Sequence, residues 1–224
     1  MITKYQILGS DYVGVFATAN DKYAIIGNDL PRSVENIIRD ILEINDVFKL
    51  SIDGSDFVGI FVSSNENGIL IPDLINDYEL EILKEQIKNN DLNVEVMHTK
   101  LNALRNNILA NDKIAIINPE FNKEEEKKIS DVLGVETIRL AIGGYNTTGA
   151  NNIITNKGIV INTLANDNEI SKINNYFKNI VASTANLGST SIGLSVIANS
   201  KGMIIGKRTS GYEISRIAEA LDLQ

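Results

Sequence analysis

The sequence predicts an α/β protein made of five strand-strand-helix-strand units around a pseudo-fivefold axis. Three observations predict it. An asparagine recurs at Asn20, Asn65, Asn111, Asn156 and Asn199; a glutamate follows each by 13 to 15 residues, at Glu35, Glu79, Glu125, Glu169 and Glu213; and an apolar run stands before and after every asparagine. The spacing divides residues 1–224 into units at about 1–46, 47–92, 93–134, 135–179 and 180–224. A period of this length signals one supersecondary unit repeated in a closed or stacked array. WD40 propeller blades share the period but are four strands without a helix, and a chain without tryptophan has no WD dipeptide.

The second unit shows the elements in order. Leu50 to Asp53 and Val58 to Asn65 are apolar or β-branched runs that read as strands, and Gly68 to Pro72 reads as a third. Asn65-Glu66-Asn67-Gly68 joins the last two as a hairpin, because asparagine and glycine tolerate the positive φ that tight turns use. Comparable turns are expected at Asn156-Lys157-Gly158 and Asn199-Ser200-Lys201-Gly202. A helix follows. Asn76-x-x-Glu79 precedes Leu80, Leu83 and Ile87, and Asn122-x-x-Glu125, Asn166-x-x-Glu169 and Ser210-x-x-Glu213 hold the same place later, each spaced as a capping box. The recurring glutamate is therefore structural rather than catalytic.

The helices are amphipathic, with apolar stripes at Val34, Ile37, Ile38 and Ile41, at Ile170, Ile173 and Phe177, and at Ile214, Ile217 and Leu221. One unit cannot bury such a stripe alone, whereas five around an axis share a continuous core. The run from Lys123 to Lys128 reads as a solvated helix face, its glutamates placed to pair with lysines at helical spacing. With three prolines and no low-complexity stretch, the whole chain is expected to form a single domain.

Composition narrows the function. A net charge of −8 and a pI near 4.8 disfavour a protein that grips a phosphate backbone, DNA included, and suit protein partners. No apolar run is long enough to span a membrane, so a soluble, cytoplasmic protein is expected. Cysteine is absent, which removes disulfides, thiolate metal sites and thiol nucleophiles. The single histidine, His98, reads as an ordinary packing or surface residue, and no phosphate-binding or dinucleotide fingerprint is present. Neither a cofactor nor a metal is expected.

Four segments carry a resemblance: GSDFVGIFVSSNENGILIP (Gly54 to Pro72), LNALRNNILANDKIAIINP (Leu101 to Pro119), TNKGIVIN (Thr155 to Asn162) and STANLGSTSIGLSVIANSKGMIIG (Ser183 to Gly206). With the period, they resemble the archaeal translation initiation factor 6 family of ribosome anti-association factors, whose fold is the pentein, or α/β-propeller. The resemblance implies a monomer that binds the intersubunit face of the large ribosomal subunit. It would sit beside the sarcin-ricin loop, chiefly on a ribosomal protein and with little direct contact to rRNA, and keep the small subunit away. A part in large-subunit biogenesis is also implied.

Symmetry places the stretch before each middle strand at one end of the axis: Gly54 to Ile60, Asn102 to Asn107, Tyr145 to Asn151 and Leu187 to Gly193. Loops on a rigid scaffold are the usual seat of recognition. By the family resemblance, Asn106, Thr184, Asn186, Gly188 and Ser191 belong to this docking ring, with Ile60 and Asn151 at the corresponding places of units two and four. A local role competes at each: Gly188 and Gly193 permit turns, and Asn106 can tie its own loop. The sequence departs from the family at Arg105, where glycine is usual, at Leu187, where a basic residue is usual, and at Ser183, where glycine is common.

Other classes fit less well. Pentein amidinotransferases and deiminases attack a guanidine carbon with a cysteine thiolate, which this chain lacks. A sliding clamp needs basic inward-facing helices, whereas Glu79, Glu81, Lys84, Glu85 and Lys88 mix charge on one helix. A protein-binding adaptor with another partner generalises the preferred reading.

Overall fold

A computed structural model describes residues 1–223. Fifteen strands form five three-stranded sheets. In the first, β2 (Ala17–Ala19) and β3 (Tyr23–Gly27) make an antiparallel hairpin, α1 (Arg32–Leu42) crosses over, and β4 (Asp46–Leu50) returns parallel to β3. The second repeats this with β5 (Ser63–Ser64), β6 (Gly68–Pro72), α3 (Asp77–Ile87) and β7 (Asn93–Met97). The third has β8 (Ile108–Ala110), β9 (Ile114–Ile117), α5 (Lys123–Leu133) and β10 (Glu136–Arg139). The fourth has β11 (Ile153–Ile154), β12 (Ile159–Asn162), α7 (Asp167–Ile173) and β13 (Ile180–Ser183). The fifth hairpin, β14 (Val196–Ala198) and β15 (Met203–Gly206), precedes α9 (Gly211–Leu221), but its parallel strand is β1 (Ile2–Tyr5), from the other end of the chain. The period is as expected; its phase is not, because residues 2–5 complete the fifth sheet and 46–50 the first.

Each long helix wedges between neighbouring sheets. Val34, Ile38 and Leu42 of α1 pack with Ala24 and Ile26 of sheet one and Ile204 of sheet five. Leu83 and Ile87 of α3 meet Ile25 and Ile69, and the pattern continues until Ile217 and Leu221 of α9 meet Val160 and Met203. Strands flanked by helices on both faces bury every residue, as Gly68 to Pro72 do.

Four expected capping boxes are present, at Asn76, Asn122, Asn166 and Ser210. The first unit has none: Pro31 occupies the cap, the helix begins one residue early relative to Glu35, and that glutamate pairs with Arg39 instead. On α5 the charges also pair differently from expectation. Lys128 bonds Glu95 of β7, and Arg139 of β10 bonds Glu126, so the partners lie on strands rather than one turn along.

Two local readings are corrected. The run from Val58 to Asn65 is not one strand: α2 (Val58–Phe61) is a helical turn, and only Ser63–Ser64 pairs as a strand. Equivalent turns are the 3-10 segment Val13–Val15, α4 (Leu104–Asn107), α6 (Thr148–Asn151) and α8 (Ile192–Ser195). They meet around the axis. A Cβ at Gly59 would overlap the Gly14 carbonyl, one at Gly14 the Gly193 carbonyl, and one at Gly193 the Gly149 carbonyl, so glycine there lets backbones touch. The hairpins differ as well, since none of residues 65–68 has positive φ. Asn65 Oδ1 instead accepts from the backbone N–H of Asn67 and Gly68, an Asx turn, and Asn20, Asn111 and Asn199 do likewise. In unit four that place belongs to Thr155, whose Oγ1 accepts from Lys157 N, so Asn156 stands one residue out of the column.

The amide side of three of these asparagines reaches the neighbouring hairpin, whereas Asn20 Nδ2 makes no hydrogen bond among the described residues. Asn199 Nδ2 donates to the carbonyl of Asn20, Asn65 to that of Asn111, and Asn111 to that of Thr155. One residue type thus shapes a turn and stitches it to the next.

Candidate functional site

At the end of the axis opposite these hairpins, four tight turns surround the ring of short helices. Ile7 to Ser10, Ile52 to Ser55, Ile142 to Tyr145 and Ala185 to Ser189 each close with an isolated bridge. Their central residues lie in the left-handed region: Leu8 and Gly9, Asp53 and Gly54, Gly143 and Gly144, and Asn186, Leu187 and Gly188. The third unit has no such turn between His98 and Ala103.

Capping glutamates hold three of these turns. Glu79 accepts from Asn76 N and also from Asp53 N at 3.0 Å and Gly54 N at 2.8 Å. Glu169 accepts from Asn166 N and Gly143 N. Glu213 is the most engaged, bonded by Ser210 N, Ser210 Oγ, Thr184 Oγ1, Gly188 N and Leu187 N. Burial pushes the Glu79 and Glu213 carboxyls up, but the backbone N–H groups outweigh it and hold both below the usual carboxylate range. Glu79, Glu169 and Glu213 therefore each cap a helix and fix the turn beside it, whereas Glu125 only caps and Glu35 does neither.

The ring residues sort by burial. Ile60 and Asn106 sit at equivalent places in α2 and α4, half-buried, and Asn106 Oδ1 has no partner. Asn151 is one residue out of that register, where Ala150 is the true equivalent. It is 5% exposed, and its amide donates back to Thr147 as Asn107 does to Ala103. Asn186 is 7% exposed, with its side chain bonded to Asp11 O, Ser195 Oγ and Thr209 Oγ1. Asn151 and Asn186 thus build the ring rather than present a contact atom. Thr184 is half-buried against Glu213, Ser191 is half-buried in the same loop, and Gly188 is exposed at φ 99°.

Apolar residues complete the surface. Leu8, 66% exposed, and Tyr12 lie outside the stretches that the repeat marks, whereas Leu187, 63% exposed, and the exposed Phe57 and Tyr145 lie within them. Tyr12 Oη lies 3.5 Å from Ser189 Oγ, so the loops carrying the two leucines adjoin. Phe57 packs edge-on to Phe16 at 5.6 Å. The available signal was leucine directly before glycine in Leu8-Gly9 and Leu187-Gly188, a turn position where asparagine or glycine is ordinary.

At the hairpin end, Asp21, Glu66 and Asp112 bring carboxylate oxygens within 4.8 Å of one another. Protein donors already serve them: the Asn156 amide bridges Asp21 and Asp112, Ser200 N and Glu66 N bond the same two aspartates, and Lys22 pairs with Glu66. His98 is exposed and lies 3.2 Å from Asp73. None of the described helices is long and apolar enough to cross a membrane.

Five hairpin-plus-crossover sheets closed around an axis, with glycine contacts at its centre, define a pentein. The eIF-6 family model matches residues 2–220. The chain is 38% identical to translation initiation factor 6 of Thermococcus onnurineus over 159 residues, 70% of this chain and 69% of that protein. It is likewise 38% identical to that of Saccharolobus solfataricus over 158 residues and 36% to that of Pyrococcus abyssi over 159, each match covering 70% of both chains. This chain belongs to the eIF-6 family, a family of translation initiation factors.

Proposed function

We propose that this initiation factor binds the large ribosomal subunit on its intersubunit face through the ring of turns, chiefly against a ribosomal protein, and so blocks the small subunit sterically. The observation that carries the reading is the pair of outward leucines in left-handed backbone, Leu8 at φ 50° and Leu187 at φ 62°. An L-residue with a Cβ costs roughly 1–2 kcal/mol there, and an exposed side chain recovers none of it inside the fold. Strain of that kind points to a use outside the chain. Tyr12 and Phe57 extend the same rim, and aromatic and apolar anchors are what a protein partner uses. The chain's acidity favours a protein over a phosphate backbone as the principal contact.

Blocking needs a rigid obstacle, and no chemical step enters it. Stitching asparagines and turn-holding glutamates supply the rigidity. Co-sedimentation with purified large subunits in sucrose gradients tests the reading. Wild type is expected to travel with the large subunit and suppress joining, and Leu8→Asp with Leu187→Asp to abolish both. Wild-type protein that stays at the top of the gradient would sink it.

A further inference from the structure

In the ring of short helices stands a cation, Arg105, with no protein counterion among the described residues. Of the five places where short helices meet, four are Gly14, Gly59, Gly149 and Gly193, and the fifth is Arg105. Its Nη1 donates to the Gly149 carbonyl at 2.9 Å, the one acceptor it finds among the described residues, out of five N–H groups. No carboxylate pairs with it among those residues. Burial alone pushes its pKa down to about 10, so the group remains charged at neutral pH. The residue is half-buried and lines a cavity beside the ring.

That cavity is of about 20 Å³, lined by Arg105, Thr18, Ser63 and Ser64 and by apolar Ile153 and Ile197. Ser64 is 8% exposed, and its Oγ, although close to the Tyr23 hydroxyl, makes no well-formed hydrogen bond among the described residues. The cavity stacks on the one inside the hairpin ring, with which it shares Ala19, Ser64 and Ala110. The carboxylates of that ring are occupied by Asn156, Lys22 and backbone amides and do not reach Arg105.

We propose that the cavity binds one small monovalent anion of chloride size, held by the Arg105 guanidinium with the hydroxyls that line it. The volume suits one or two water-sized species and excludes a phosphate or sulfate. Water alone would satisfy donors but leave a half-buried charge without a counterion, which a site drier than bulk water penalises. The chain has a reason to hold the ion. At this one place a charged side chain replaces glycine in the ring, and the anion lets it stay.

Thermal melts in chloride, bromide and gluconate at constant ionic strength test this on wild type, Arg105→Gly, Arg105→Met and Ser64→Ala. Wild-type Tm is expected to rise saturably with either halide, by about 3–6 °C at ten times the dissociation constant. Both Arg105 variants lose the rise, and Ser64→Ala weakens halide affinity roughly threefold or more. Crystals grown in bromide are expected to show an anomalous peak against the guanidinium. A cavity without bromide, or an undiminished halide response in a folded Arg105 variant, overturns the proposal.

Discussion

Glu213→Ala separates the two jobs of the glutamate column. The wild-type carboxylate caps α9 through Ser210 and ties the Leu187–Gly188 turn through two backbone N–H groups and Thr184. Losing a cap costs about 0.5–2 kcal/mol, and losing hydrogen bonds to a charged group about 1.5–3 kcal/mol more. Water replaces part of the second loss, because Leu187 and Gly188 are exposed. The sum of about 2–5 kcal/mol lowers Tm by about 4–20 °C in a chain of this size. Glu125→Ala is the internal control. Glu125 caps α5 through Asn122 N and meets no tight turn, so its loss is the cap alone, about 1–8 °C. Matched melts and subunit pelleting should show Glu213→Ala falling further in both stability and affinity, and Glu125→Ala losing stability only. Equal melts for the two variants, or a binding defect in Glu125→Ala, would refute the division of roles.

Because the Glu213 and Glu79 carboxyls lie below their ordinary values, their contribution is full above the unfolded carboxyl range and is lost as pH falls through the folded values. Wild type should weaken on acidification below about pH 5, and the double variant Glu79→Gln with Glu213→Gln should show a shallower fall in urea melts. Leu187→Gly should raise stability by about 0.5–1 kcal/mol while weakening subunit binding, since it relieves φ 62° and removes the apolar tip; unchanged affinity would contradict the docking assignment. Gly59→Ala should destabilise by about 3 kcal/mol or more against the Gly14 carbonyl, whereas Gly211→Ala, with open space around it, should stay within about 1 kcal/mol of wild type on denaturant curves. Deleting residues 1–5 removes the parallel partner of β15 and leaves only β14 beside it, and hydrogen exchange should show Met203 to Gly206 losing protection first.

The sequence carried the repeat, the helices and four of five caps because those features are local. A capping box is complete within four residues, and an amphipathic stripe within a few turns. What stayed hidden depends on contacts between units. Val58 to Phe61 is apolar and short, so strand and helical turn look alike in sequence, and only the neighbouring Gly14 carbonyl explains why Gly59 favours the turn. Asn156 was placed in the asparagine column because it is an asparagine, yet Thr155 does that work with a hydroxyl, a chemical equivalence that residue identity conceals. At the candidate site, Asn106, Gly188 and Ser191 fall in the ring where the repeat placed them. The inward turn of Asn151 and Asn186 was not legible, because their bonds run to positions fixed by the closed ring.

The first strand pairs with the last, Ile2 opposite Met203, and this orders events during synthesis. The N-terminal segment leaves the ribosome first but has no sheet to join until the fifth hairpin has emerged, so the longest-range contact forms last. Leu8 follows that strand, and Leu187 precedes the hairpin it completes. The proposed docking patch straddles this seam, so on that reading closing the seam assembles it. An opened ring has the leucines but not the patch, so a partner that reads the proposed patch would read ring closure as well.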